Sequence, residues 1–213
     1  MPFVAQAKRL KNDADKRVVK SAKTEQVKIN FRLNQPKNDT KAENIMNTLF
    51  AQPFNRDANG FYFYSLESYT EKAENLLDRF GNPVEEFEIQ FIDGDDCELF
   101  TACGVDQGNL HTWFESVLDL SDYEKTALFY LCSILGYSLV DSLEKIDDVN
   151  LSEGSLKDVA VNLFDECYLN DVPESVRAYI DYEKFARDCE LGGDLCEFDF
   201  NGKTRTCTNA SRV

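Results

Sequence analysis

From residue 80 to residue 124 the chain has no lysine and no arginine, yet these 45 residues hold twelve carboxylates. They are Glu85, Glu86, Glu88, Asp93, Asp95, Asp96, Glu98, Asp106, Glu115, Asp119, Asp122 and Glu124. Core-forming residues such as Phe87, Ile89, Phe91, Leu99, Trp113 and Phe114 are interleaved with them, so the stretch is not a low-complexity acidic tail. A folded surface holding so many like charges accepts self-repulsion in its compact state.

Other absences narrow the function. His111 is the single histidine and has no paired nucleophile, so it reads as a structural or surface residue. The seven cysteines are an odd number, and neither Cys97/Cys103 nor Cys189/Cys196 forms a CxxC, so zinc and disulfide frameworks are not indicated. No P-loop, GxGxxG or GxSxG occurs, and Gly192-Gly193 ends a helix instead of opening one, the wrong context for phosphate. No apolar run reaches the roughly 18 residues of a spanning helix, and the first residues lack the apolar core of a secretory signal. These features predict a cytoplasmic protein with reduced thiols, no cofactor and no enzymatic activity.

What remains is charge, unevenly spread. Residues 1–41 carry eleven Lys/Arg against four Asp/Glu, a net of +7, whereas residues 42–213 carry twelve against thirty-five, a net of −23. An acidic body repels nucleic acid and anionic membrane and attracts a protein with a positive groove. The basic arm reads either as a solubilising tail or as a tether.

The hydrophobic pattern predicts α+β architecture, an elongated array of small α/β units with an acidic surface, helical in its second half. Three regions are expected: the arm over 1–41, a small α/β domain over 42–107, and a mainly helical region over 108–213. Val27–Leu33 alternates as a strand, and a helix is expected over Ala42–Ala51 with Ile45, Met46, Leu49 and Phe50 at helical spacing. Phe61–Tyr64 reads as a strand, a helix capped by Ser65 or Ser68 runs toward Phe80, and 87–91 alternates as a strand. Asp93-Gly94-Asp95-Asp96 is turn chemistry, with 97–103 returning as the second strand of a hairpin. A divalent-cation loop is the sharper reading of that turn, but it fails the EF-hand pattern because the glycine stands second and not sixth. Ser121 and Glu124 form a capping box. Helices follow over 139–146, over 155–169 with Cys167 inward, after Pro173, and over 182–190 with Glu183–Arg187 and Lys184–Asp188 as i,i+4 pairs. Asn201-Gly202 marks a closing hairpin.

Leu143-Glu144-Lys145-Ile146-Asp147-Asp148-Val149-Asn150-Leu151-Ser152-Glu153-Gly154 resembles the antirestriction motif of the ArdA antirestriction proteins. Residues 172–188, a proline-led helix followed by Ile180-Asp181-Tyr182 and ending Ala186-Arg187-Asp188, resemble a second segment of that family, and Gly192-Gly193-Asp194 with the hairpin fits its C-terminus. The resemblance runs roughly from Gly108 onward, or from as early as Phe61. The front departs from it, since a basic arm occupies the place of the family's N-terminal domain.

The resemblance implies a curved, acidic homodimer that mimics bent duplex DNA and fills the DNA groove of a type I restriction–modification enzyme, carried by a plasmid, transposon or phage. An altered front end also suits another DNA-engaging defence complex, such as a CRISPR effector; a non-competing acidic regulatory module is the remaining alternative. The partner-binding residues are then expected in three clusters. The first is Glu85, Glu86, Glu88, Asp93, Asp95, Asp96 and Glu98. The second is Asp141, Glu144, Asp147, Asp148 and Glu153. The third is Asp181, Glu183, Asp188, Glu190, Asp194, Glu197 and Asp199.

Overall fold

The computed structural model describes residues 47–213, and the architecture there is α+β with two small antiparallel sheets. The arm and the Val27–Leu33 strand expected from sequence lie outside the described residues.

The first sheet has strand order β2–β1–β3, built from β1 (Thr48–Pro53), β2 (Phe61–Phe63) and β3 (Phe87–Asp93). Leu49, Ala51 and Pro53 of β1 turn inward against Phe63, Phe87 and Ile89. The expected helix over 42–51 is therefore a strand where it is described. Its apolar residues satisfy a period of two as well as a helical one, and Pro53 suits a strand end better than a helix interior.

Helix α1 (Leu66–Glu74) starts at a Ser65 capping box with Ser68 and buries Tyr69 against Phe63 and Phe87. It ends at Asn75, short of Phe80; Asp78 then accepts bonds from the backbone of Phe80 and Asn82, which with the Asn82 side chain hold its carboxyl below the usual range.

Residues 97–102 form helix α2 and not a return strand. Burial of Leu99, Phe100 and Cys103 follows helical spacing, so the segment packs on the core as a helix and β3 stays the edge strand of its sheet. Helix α3 (Leu110–Thr112) passes into a π-turn at Trp113–Val117, and α4 (Asp122–Phe129) into another at Tyr130–Ile134. Helix α5 (Leu139–Lys145) leads through a 3₁₀ turn to β4 (Leu151–Glu153). Helix α6 (Leu156–Cys167) is followed by the single turn α7 (Glu174–Arg177) and by α8 (Tyr182–Leu191). Hairpin β5 (Cys196–Phe200) and β6 (Lys203–Cys207) closes the second sheet in the order β4–β6–β5. Asn201 at φ 50° and Gly202 at φ 68° give the turn its left-handed pair.

One hydrophobic core runs from the first sheet through the middle helices to the hairpin, with Trp113 at its centre, edge-on to Phe100 at 5.2 Å. Phe129 stacks on Phe200 at 4.6 Å and joins α4 to β5. A smaller second core ties α6 to α8 through Leu156, Val159, Ala160 and Ala186. Cys167 is exposed at the end of α6, contrary to expectation, because its neighbours Phe164 and Tyr168 take the face that packs on Tyr182 and Phe185 of α8.

Ser121 caps α4: its hydroxyl accepts from the Glu124 N–H, and the Glu124 carboxylate accepts from the Ser121 hydroxyl at 2.7 Å and its backbone N–H at 2.8 Å. Those bonds hold the Glu124 carboxyl below its ordinary range. Ser121→Ala is expected to lower the unfolding free energy by about 1 kcal/mol in a urea titration. The Glu124 contribution is present above the unfolded pKa and lost as pH falls through the lower folded value, so the stability gap between wild type and Glu124→Gln shrinks between pH 7 and pH 3.

Candidate partner-binding surface

Of the nineteen carboxylates singled out from the sequence, all but Asp96 are exposed. On β3 the inward Phe87 and Ile89 flank the outward Glu88, and Glu86 just ahead of the strand is exposed as well, so the strand period places Glu88 in solvent. Glu88 accepts from Gln90 Nε2 at 3.0 Å. Asp93 closes the following turn, its carboxylate taking the Gly94 N–H at 3.0 Å. Gly94 sits at φ +130°, and a Cβ there would lie 2.9 Å from Asn47 Cα, so the turn requires glycine.

Asp96 has a different role. Its carboxylate accepts from Lys125 Nζ at 2.8 Å and from Asn47 Nδ2 at 2.8 Å, and its side chain is only 14% exposed. It anchors the turn to α4 and is unavailable to a partner. Glu98 accepts from the Asn201 N–H at 2.9 Å, which ties α2 to the hairpin tip. The turn's acids thus serve separate partners, and among the described residues no group of three His, Cys, Asp or Glu is arranged to hold a metal ion.

In the second cluster Asp141 accepts from Ser138 Oγ at 2.6 Å beside the α5 N-terminus. Glu144, Asp147 and Asp148 are exposed with no ion pair among the described residues. The adjacent Lys145 lies over the Tyr137 ring, 5.1 Å from its centroid. Glu153 faces Arg205 across the sheet and pairs with it at 3.1 Å.

In the third cluster Asp181 caps α8 through the Lys184 N–H at 2.9 Å. Glu183 pairs with Lys157 of α6 at 2.6 Å, not with Arg187, and no Lys184–Asp188 pair forms. The helices pack side by side, so the cross-helix cation reaches Glu183 where the expected neighbour in its own helix does not. Asp194 accepts from Ser211 Oγ at 3.1 Å, Glu197 from the Leu156 N–H at 2.5 Å, and Asp199 from Thr204 Oγ1 at 2.7 Å. Asp188 and Glu190 are exposed.

Sequence reasoning missed the groups that hold segment 148–151 in place. Tyr123 donates its hydroxyl to the Val149 carbonyl at 2.9 Å and accepts from the Leu151 N–H at 3.2 Å. Asn209 accepts from the Asn150 N–H at 2.9 Å and donates to the Asp148 carbonyl at 2.7 Å. Both residues are remote in sequence from what they hold, and nothing local signals them. His111 is exposed, its Nε2 3.0 Å from Glu115.

The candidate residues are therefore exposed carboxylates on a packed α+β scaffold, some of them, such as Glu98, Asp141 and Asp181, tied down by hydrogen bonds. The sequence profile of the antirestriction protein (ArdA) family matches residues 32–200, and the chain belongs to that family of antirestriction proteins. The match begins ahead of both Gly108 and Phe61 and takes in the first sheet, so the family relationship extends further forward than the motifs alone indicate. No curated protein and no solved structure matches the chain.

The buried anchor and the exposed pair should respond differently to mutation. Lys125→Ala strands the shielded Asp96 carboxylate and is expected to cost about 2 kcal/mol or more by denaturant unfolding. Lys157→Ala removes a solvent-screened pair and is expected to cost under about 1 kcal/mol.

Proposed function

We propose that this protein is a DNA mimic that fills the basic DNA groove of a type I restriction–modification enzyme, acts as a homodimer in the bacterial cytoplasm, and excludes duplex DNA from the methyltransferase core. The observation that carries this reading is the imbalance of exposed charge. Residues 47–213 contain thirty-four Asp/Glu and twelve Lys/Arg, and Lys125, Lys157, Arg79 and Arg205 are each paired to single acids. Much of the carboxylate set is left without a counter-cation.

A DNA-binding groove is built to neutralise a dense line of phosphates and releases counterions when it does so. Acids held on a strand at every second residue are about 6.6 Å apart. That is inside the Debye length of about 8 Å at physiological salt, so neighbouring charges act together. A packed scaffold loses little conformational entropy on ordering them. Among the described residues no helix is long and apolar enough to cross a membrane. The sites in this reading are the eighteen exposed carboxylates of the three clusters, with Asp96 assigned to structure.

The basic stretch ahead of the family match favours a second target class, another DNA-engaging defence complex, which the same assay distinguishes. Inhibition should be graded. In competition with duplex DNA for a purified type I methyltransferase core, single changes such as Glu86→Gln or Asp148→Asn are expected to weaken inhibition less than about 5-fold, each being a screened contact of a fraction of a kcal/mol. Combining Glu86→Gln, Glu88→Gln, Asp147→Asn and Asp148→Asn should weaken it by about 100-fold or more, without altering the thermal midpoint downward. Loss of inhibition on one single change, with its neighbours silent, would overturn the reading; inhibition of a CRISPR effector alone would move it to the second class.

A further inference from the structure

Seven thiols are present and none is used by the proposed mechanism. Two of them, Cys196 and Cys207, are direct partners across the β5–β6 hairpin. The register is unbroken from the two-residue turn outward, with Phe200 opposite Lys203, Phe198 opposite Arg205 and Cys196 opposite Cys207. A two-residue turn is flanked by a hydrogen-bonded pair, and hydrogen-bonded pairs recur at every second position. Cys196 and Cys207 therefore occupy such a position, where Cα atoms stand about 5.5 Å apart and side chains leave the sheet on the same face. That separation lies within the range a disulfide spans.

The two sulfurs share an environment. The Tyr130 hydroxyl lies beside both, and burial together with these thiols pushes its pKa up. Burial also pushes the Cys207 thiol up. Cys207 is fully buried and donates to Asn209 Oδ1 at 3.5 Å, whereas Cys196 is half-buried. Cys196 is the more accessible of the two and Cys207 the shielded one, the arrangement of an attacking thiol backed by a resolving one.

We propose that Cys196 and Cys207 are a reversible thiol–disulfide pair, oxidised by exchange with a low-molecular-weight disulfide. The Cys196 thiolate attacks one sulfur of the reagent, forming a mixed disulfide and expelling one thiolate. Cys207 then attacks the Cys196 sulfur, forms the protein disulfide and expels the second thiolate. The two protein thiols lose two protons and two electrons; the reagent's S–S bond is reduced, and its two thiolates take up the protons. Cross-strand disulfides in hydrogen-bonded positions are constrained, and constrained bonds are the readily reduced ones. The link would staple β5 to the central strand β6 and withdraw the Cys207 donor from Asn209, which holds Asp148 and Asn150.

Cys103 and Cys132 also lie against each other, but both are buried and Cys132 already bonds Ser142 Oγ at 3.2 Å, so a soluble disulfide does not reach them in the folded protein. The test is incubation of the native full chain with excess oxidised glutathione, followed by intact mass and a non-reducing tryptic map. A Cys97→Ser/Cys167→Ser/Cys189→Ser background is used, because the exposed Cys97 and Cys167 would themselves take up glutathione and Cys189 shares a tryptic peptide with Cys196. The expected result is loss of two hydrogen masses with a Cys196–Cys207 link that dithiothreitol reverses. Cys207→Ser should instead trap a glutathione adduct on Cys196, and Cys196→Ser should give neither. A link between Cys103 and Cys132, or no link while the protein stays folded, would overturn the proposal.

Discussion

Like-charge repulsion is the constraint under which the whole molecule is built. Thirty-four carboxylates over residues 47–213 push against one another, and something must hold the compact state against them. That role falls to the aromatic core. Trp113, Phe100, Phe63 and Phe114 join the first sheet to the middle helices, and Phe129 and Tyr130 join those helices to Phe198 of the last hairpin. Large rings contribute much buried area per residue, so a modest number of inward positions can leave the outward ones free to be acidic. The start of β3 puts both halves of this arrangement side by side: Phe87 and Ile89 inward, Glu88 and the preceding Glu86 outward.

Several of the exposed acids are also held by local hydrogen bonds that need no cation. Asp141 and Asp181 sit at helix N-termini, where the backbone N–H groups and the macrodipole favour a carboxylate. Glu98 and Glu197 each take a backbone N–H from a different element. A carboxylate held this way keeps its charge while losing freedom, which is what a surface presenting charge in fixed positions requires. The segment from Asp148 to Leu151 follows the same logic: Tyr123 and Asn209 grip its backbone and leave the side chains of Asp147 and Asp148 in solvent.

Much of this was legible in the sequence. The capping box at Ser121, the Asn201-Gly202 hairpin, the β3 alternation and the α6 and α8 helices follow from local chemistry and are found where that chemistry puts them. The motif around 143–154 pointed to the family the chain belongs to. What local chemistry cannot specify is pairing at a distance. Residues 48–53 suit a helix or a strand until β2 and β3 flank them. Asp96 looks like any turn carboxylate until Lys125, 29 residues on, reaches it. Strand β4 is only three residues long and exists because β6 offers it an edge.

The central claim is that the carboxylates stand where phosphates would, so this protein and duplex DNA exclude each other. The most direct test is zero-length cross-linking of carboxylates to lysines in a complex with a type I methyltransferase core, with and without a saturating duplex. The account predicts links from the exposed acids of β3 and of residues 144–148 to lysines lining the DNA groove, all abolished by the duplex. Links that persist with the duplex bound, or that fall wholly outside the groove, would contradict it.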